Sequence, residues 1–156
     1  MFTPKIVERT EMTLVGIVGT GRSVSEIDIA GLWERFISVE PEISHKVDPE
    51  TGFELHIEKE QDPKMHFTIV GIEVGELRPL PLELFAKVVP GGTYAQFTHH
   101  FKDGGFGEAF KQVYAWVEDS DYKLAYPFDI QVYDERYTSP SDPESVIEIL
   151  VPVKQR

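Results

Sequence analysis

The stretch FDIQVYDERY, residues 128–137, alternates. Phe128, Ile130 and Val132 fall on one side of an extended chain, and Asp129, Gln131, Tyr133, Glu135 and Tyr137 fall on the other. The first side asks for a core, and the second for either solvent or a lined pocket. Upstream, GFGEAFKQVYAWVEDS (105–120) sets Phe106, Phe110, Val113 and Val117 on one helical face, and LELFAKVVPGGTYAQFTHHF (82–101) reads as a strand interrupted at Pro90-Gly91-Gly92 and resumed through Tyr94 and Phe97. Downstream, the loop TSPSDPE (138–144) leads into a further strand, SVIEILVPVK (145–154). The order is strand, helix, strand, strand.

The first half runs in the same order. TLVGIVGTG (13–21) is apolar and β-branched and predicts a strand leading into a turn. In the following segment Ser23 and Glu26 have capping-box spacing, Ile29, Leu32, Trp33 and Phe36 form one helical stripe, and Pro41 marks the stop. A turn at KVDPETG (46–52), a strand at FELHIE (53–58), a charged Asp-Pro turn at EKEQDPK (58–64) and a longer strand at MHFTIVGIEVG (65–75) complete it. Two such units, about 10–76 and 80–154, predict one α+β domain over 1–156. Its duplicated strand-helix-strand-strand units form an antiparallel sheet with two helices on one face and a ligand cleft at the pseudo-two-fold.

With 156 residues the chain is the size of one ordinary domain, and with no cysteine it offers neither disulfides nor thiolate chemistry. The first twenty residues lack a charged stretch followed by an apolar run, and no run of about 20 apolar residues is present, so a cytoplasmic protein without a membrane association is expected. The 15 basic and 27 acidic residues give a net charge of −12, a field that repels phosphate backbones and favours cationic ligands. Direct nucleic-acid binding is not expected.

The Gly16, Gly19 and Gly21 pattern is GxxGxG rather than GxGxxG, and it precedes a hairpin rather than a parallel crossover, so it reads as turn-making glycine and not as a dinucleotide site. None of the five histidines pairs at i, i+4 on a helix. His99 and His100 face opposite ways, and His56 and His66 meet across a hairpin as a solvated pair, so neither a metal nor another cofactor is expected. No GxSxG turn is present. Trp33, Phe106 and Phe110 read as plain core.

Among the carboxylates, Glu135 stands amid aromatics. Spacing leaves two readings open: an exposed strand end beside Arg136, or a buried acid that awaits a cation. On the second reading Tyr133, Tyr137, Trp116 and Tyr94 supply walls whose ring faces attract cations.

The series IAGLWERF (29–36), IVGIEV (69–74), VVPGGTYAQFTHHF (88–101), VYAWVEDSDYKLAYPFDIQVYDERY (113–137) and IEILVPVK (147–154) resembles the GyrI-like, or AraC-type, effector-binding domain family. The resemblance implies a cleft for bulky lipophilic, often cationic, molecules. It carries the family's pocket glutamate onto Glu135 and aromatic positions onto Trp116 and Tyr94, and Thr68 stands where relatives often carry an aromatic. It also implies effector sensing or drug sequestration, with a transcription regulator or gyrase as a protein partner. The alternatives are hydrolysis of reactive electrophiles, with Glu135 as general base, and inhibition of a basic protein through the acidic surface.

Overall fold

The computed structural model describes residues 2–59 and 65–156. Most of the charged turn expected at 58–64 lies outside the described residues. Among the described residues nine antiparallel strands and two helices form the expected α+β architecture. The strands are β1 (Lys5–Arg9), β2 (Met12–Gly21), β3 (Gly52–Lys59), β4 (Met65–Val74), β5 (Phe85–Val89), β6 (Gly92–His100), β7 (Tyr122–Leu124), β8 (Phe128–Tyr133) and β9 (Val146–Gln155). The helices are α1 (Ile29–Val39) and α2 (Phe106–Asp119).

The sheet order is β1-β6-β9-β8-β3-β4-β2-β5, with β7 added to the far end of β9. It reads alike from either edge, and β8 pairs with β3 at the middle. Only Thr10 and Glu11 separate β1 from β2, and only Pro90 and Gly91 separate β5 from β6, yet each pair lies six places apart in the sheet. Six steps of a flat sheet span roughly 29 Å. Three Cα–Cα steps reach about 11 Å. The sheet therefore curls until its ends meet.

Curling separates two faces. Inside lie Leu14, Leu55, Tyr94, Ile130 and Leu150, with Val7 and Phe85 arriving from the two end strands. Outside, α1 lays Leu32 and Phe36 over Val15, Val70 and Ile72, and α2 lays Ala109, Val113 and Val117 over Phe97, Ile149 and Val151. Each helix thus covers one half of the outer face. The central strands β3 and β8 lie between them.

Local structure departs from the sequence expectation in four places. Gly16, Gly19 and Gly21 are inside β2 rather than in a turn. Gly16 stands opposite Gly71 of β4, and a Cβ on Gly16 would lie 2.0 Å from the Val70 carbonyl oxygen, so the two strands cross where neither has a side chain. Ser23 caps no helix: its hydroxyl bonds Ser25, residues 24–26 form a 3-10 turn, and Asp28 caps α1 by accepting the Gly31 N–H at 3.0 Å. β8 stops at Tyr133 because the Asp134 carboxylate accepts both the backbone and side-chain N–H of Arg136, which bends the chain into a turn. β1 and β7 arise from segments without a strand pattern.

Candidate ligand cavity

The alternation in FDIQVYDERY puts Asp129, Gln131 and Tyr133 on the outer face of β8, and on β3 it puts Glu54 and His56 on that same face. Register joins them in rows: Gly52 opposite Tyr133, Glu54 opposite Gln131, and His56 opposite Asp129. These side chains form the floor of a cavity of about 1130 Å³ between α1 and α2. Alternating sheets ordinarily present such polar residues to water. Here helices flank them on both sides.

Two aromatic walls rise from that floor. On the α1 side Trp33 meets Tyr133 edge-on at 5.7 Å, and Tyr133 meets Tyr137 at 4.7 Å. On the α2 side Phe106, Phe110 and Tyr114, spaced i, i+4, i+8, stack at 6.5 Å per step. Trp33, Phe106 and Phe110 were expected to be core only. They are partly buried against the core and also line the cavity.

Glu54 is 5 % exposed. It accepts the Trp33 Nε1–H at 2.8 Å through Oε1, and its Oε2 lies 2.6 Å from His56 Nε2. Burial works against a charged His56, but the hydrogen bond to Glu54 and the negative field of Asp129 outweigh it and raise its pKa above the ordinary 6.5. The other ring nitrogen, Nδ1, sits 3.2 Å from Thr68 Oγ1 and 3.3 Å from His66 Nε2. The His56–His66 contact across the hairpin is present, yet His56 is nearly buried rather than solvated. Among the described residues no group of three or more His, Cys, Asp or Glu is placed to hold a metal ion.

Asp129 is the second buried acid of the floor. Its Oδ2 accepts the Tyr114 hydroxyl at 2.6 Å, and its Oδ1 is buried without a partner. Burial pushes its pKa up to about 6, only partly countered by His56 and Tyr114. Among the described residues no lysine or arginine lines the cavity. Two buried carboxylates that share one imidazole and have no lysine or arginine, between ring faces, favour an incoming positive charge.

The expected site residues divide. Tyr133 and Tyr137 line the cavity, whereas Glu135, Trp116 and Tyr94 do not. Glu135 is exposed, because the Asp134–Arg136 turn ends β8 before the alternation reaches it. Nor does it pair with Arg136, which bonds Asp134 at 2.8 Å and Glu148 at 3.1 Å. Tyr94 points into the curled sheet and donates its hydroxyl to the Pro90 carbonyl oxygen at 2.6 Å. Trp116 packs between Phe97 and Tyr122, away from the Phe106–Tyr114 stripe. Glu54, Asp129 and His56 line the cavity, and sequence spacing did not single them out for a ligand. Their signal was the alternation of FELHIE opposite that of FDIQVY, which places acids on one face of paired central strands.

A curled antiparallel sheet with a helix-flanked cavity at its centre defines a small-molecule-binding domain. The chain belongs to the GyrI-like small-molecule-binding domain family, whose model matches residues 2–154. It is 31 % identical over 150 residues to the transcriptional regulator BrlR of Pseudomonas aeruginosa, covering 96 % of this chain and 54 % of that protein. The chain thus spans about half the length of that curated relative. Among solved structures, SAV2435 bound to tetraphenylphosphonium matches with a TM-score of 0.73 at 19 % identity, covering 97 % of this chain and 93 % of the other. A hydrolase from Listeria innocua matches with a TM-score of 0.60 at 14 % identity, covering 97 % and 92 %. At these identities the two structures speak for the fold.

Proposed function

We propose that this domain binds a bulky lipophilic organic cation between α1 and α2, with Glu54 as the charge-recognising carboxylate and Trp33, Tyr133, Tyr137, Phe110 and Tyr114 as walls. The observation that carries this reading is the Glu54 carboxylate, buried at the sheet centre, held by Trp33 and His56, and set in an aromatic cavity. The tetraphenylphosphonium bound by a protein of the same fold supports the ligand class. On this reading the domain is a cytoplasmic effector-sensing or drug-sequestering module. Its similarity to a transcriptional regulator supports read-out through a regulatory protein partner.

Thermal shift with tetraphenylphosphonium and with neutral triphenylphosphine oxide tests the reading. A ligand at a hundred times its Kd adds about 2.7 kcal/mol, a rise of roughly 5–11 °C for a domain of this size. The cation should give that rise and the neutral compound much less. Equal shifts, or none with any lipophilic cation, would reject it.

Hydrolysis of a reactive electrophile is a second reading, favoured by Asp129, whose buried carboxylate has a pKa near the value suited to a general base. Glu135, exposed beyond the cavity, is not placed for that role. Product formation from electrophilic aromatic compounds, lost in Asp129→Asn, tests it.

A further inference from the structure

Asp129 lies at the end of the aromatic stripe of α2, where the stacked rings of Phe110 and Tyr114 lead toward β8. Among the described residues one hydrogen-bond donor is placed for it, the Tyr114 hydroxyl. His56 stands directly opposite on β3, but its Nε2 is committed to Glu54 at 2.6 Å. Glu54 itself is a like-charged neighbour one row away, and Glu58 and His66 lie further along β3 and β4. On the other flank β9 offers this face apolar Ile149 and Val151, and α1 brings Trp33 and Glu34 to the cavity. An ionised Asp129 would therefore have one donor for two oxygens, a second carboxylate nearby, and no lysine or arginine among the described lining residues.

We propose that Asp129 exchanges its proton for the charge of the ligand: in mildly acidic solution the empty cavity holds it as a neutral acid, and a bound cation converts it into a second carboxylate of the site. This rests on the cation-binding reading above. The neutral acid leaves one buried oxygen without a partner, which is tolerable in a way that an unpaired buried anion is not. A cation over β8 reverses the balance by adding to the field of His56, which alone only partly counters burial. Binding then releases a proton, and affinity rises with pH through the titration of Asp129. The elevated pKa of this group, about 6 in the absence of ligand, fits that window. Were the bound form to titrate near 4, affinity would be roughly tenfold greater at pH 7 than at pH 5 by linkage.

Calorimetry with tetraphenylphosphonium chloride tests the exchange, because the phosphonium carries no titratable proton and any released proton comes from the protein. Titrations at pH 5.5 in acetate and in a buffer of larger ionisation enthalpy give the number of protons from the difference in apparent heat. The expected result is a release of well over half a proton per ligand at pH 5.5 and little at pH 8, with the weaker binding at pH 5. Asp129→Asn should bind without release at pH 5.5, since Tyr114 still donates to the amide oxygen. Tyr114→Phe removes the donor that favours the anion and should extend the release to higher pH. Binding by the unaltered protein without release, release undiminished in Asp129→Asn, or a release window unmoved in Tyr114→Phe would overturn the exchange while leaving cation binding intact. Failure of the phosphonium to bind at any pH would overturn both.

Discussion

Replacing Glu54 by Gln removes a charge while keeping nearly the same shape. The Gln carbonyl still accepts the Trp33 Nε1–H, but its amide group cannot accept from His56 Nε2, so the imidazole shifts to the tautomer that accepts there and loses its reason to be charged. A cation about 5 Å from a carboxylate, at an effective dielectric constant near 20, gains roughly 3 kcal/mol. Part of that is cancelled in the unaltered protein wherever His56 is protonated, so a loss of about 1.5–3 kcal/mol is expected, a 10- to 150-fold rise in Kd. A neutral aromatic ligand should change less than about threefold. Trp33 provides the assay, because it lines the cavity and touches Glu54, whereas Trp116 is held apart by Phe97 and Tyr122. With Trp116→Phe as background, quenching of Trp33 reports occupancy alone. An E54Q protein that binds tetraphenylphosphonium as tightly as its parent at pH 8, while melting normally, would refute the assignment of the recognising acid.

The exposed Glu135 predicts the converse: Glu135→Gln should leave cation affinity within about twofold, and a loss comparable to that of E54Q would return the acid to the strand end. Asp129 predicts a pH effect on stability. Its folded pKa, about 6, is above the unfolded value of 3.8, so its contribution is present below pH 4 and is lost as pH rises through 6. About two pKa units correspond to roughly 3 kcal/mol. Asp129→Asn should therefore raise the melting temperature at pH 8 and change it little at pH 4, as read by calorimetry without ligand; a uniform fall at both pH values would contradict this. Gly16→Ala should cost about 3 kcal/mol or more, and at least roughly 6 °C in Tm, because the added Cβ meets backbone across β2 and β4 rather than a side chain that can move. An unchanged Tm would show that the strand crossing yields.

Period-2 and period-3.6 patterns made the paired units legible, since Phe128, Ile130 and Val132 or Leu32, Trp33 and Phe36 need only their own neighbours to declare a face. What they could not declare was where a pattern ends. The alternation of FDIQVYDERY continues in letters through Tyr137, but a side-chain-to-backbone bond from Asp134 stops the strand four residues earlier. Glu135 thereby loses its place on the face that the count assigned to it. β1 was hidden for another reason: it is a short strand at the edge of the sheet path whose partner, β6, lies more than eighty residues away, and such pairing leaves no local signature. Tyr94 failed through parity, since Gly92 begins β6 at a register that turns Ala95 and Phe97 outward and Tyr94 inward.

On the proposed reading the same geometry explains why the acids of the cavity come from strand centres. Two helices of eleven and fourteen residues cannot cover the outer face of a sheet whose middle two strands belong to different units. Each helix packs over its own half, on β2 and β4 or on β6 and β9, and leaves β3 and β8 bare. Polar residues on those two strands lie beneath neither helix, yet they are kept from open water. Their neighbours are the inner edges of both helices, which the i, i+4 rule supplies with rings from Phe106, Phe110 and Tyr114 on one side and Trp33 on the other. A carboxylate at a strand end can swing into solvent, as Glu135 does, but one at position 54, whose direction the pairing with Gln131 fixes and which Trp33 and His56 hold, cannot. On the proposed reading charge selection therefore belongs to the middle of the sheet, where the flanking helices and their rings surround the acid.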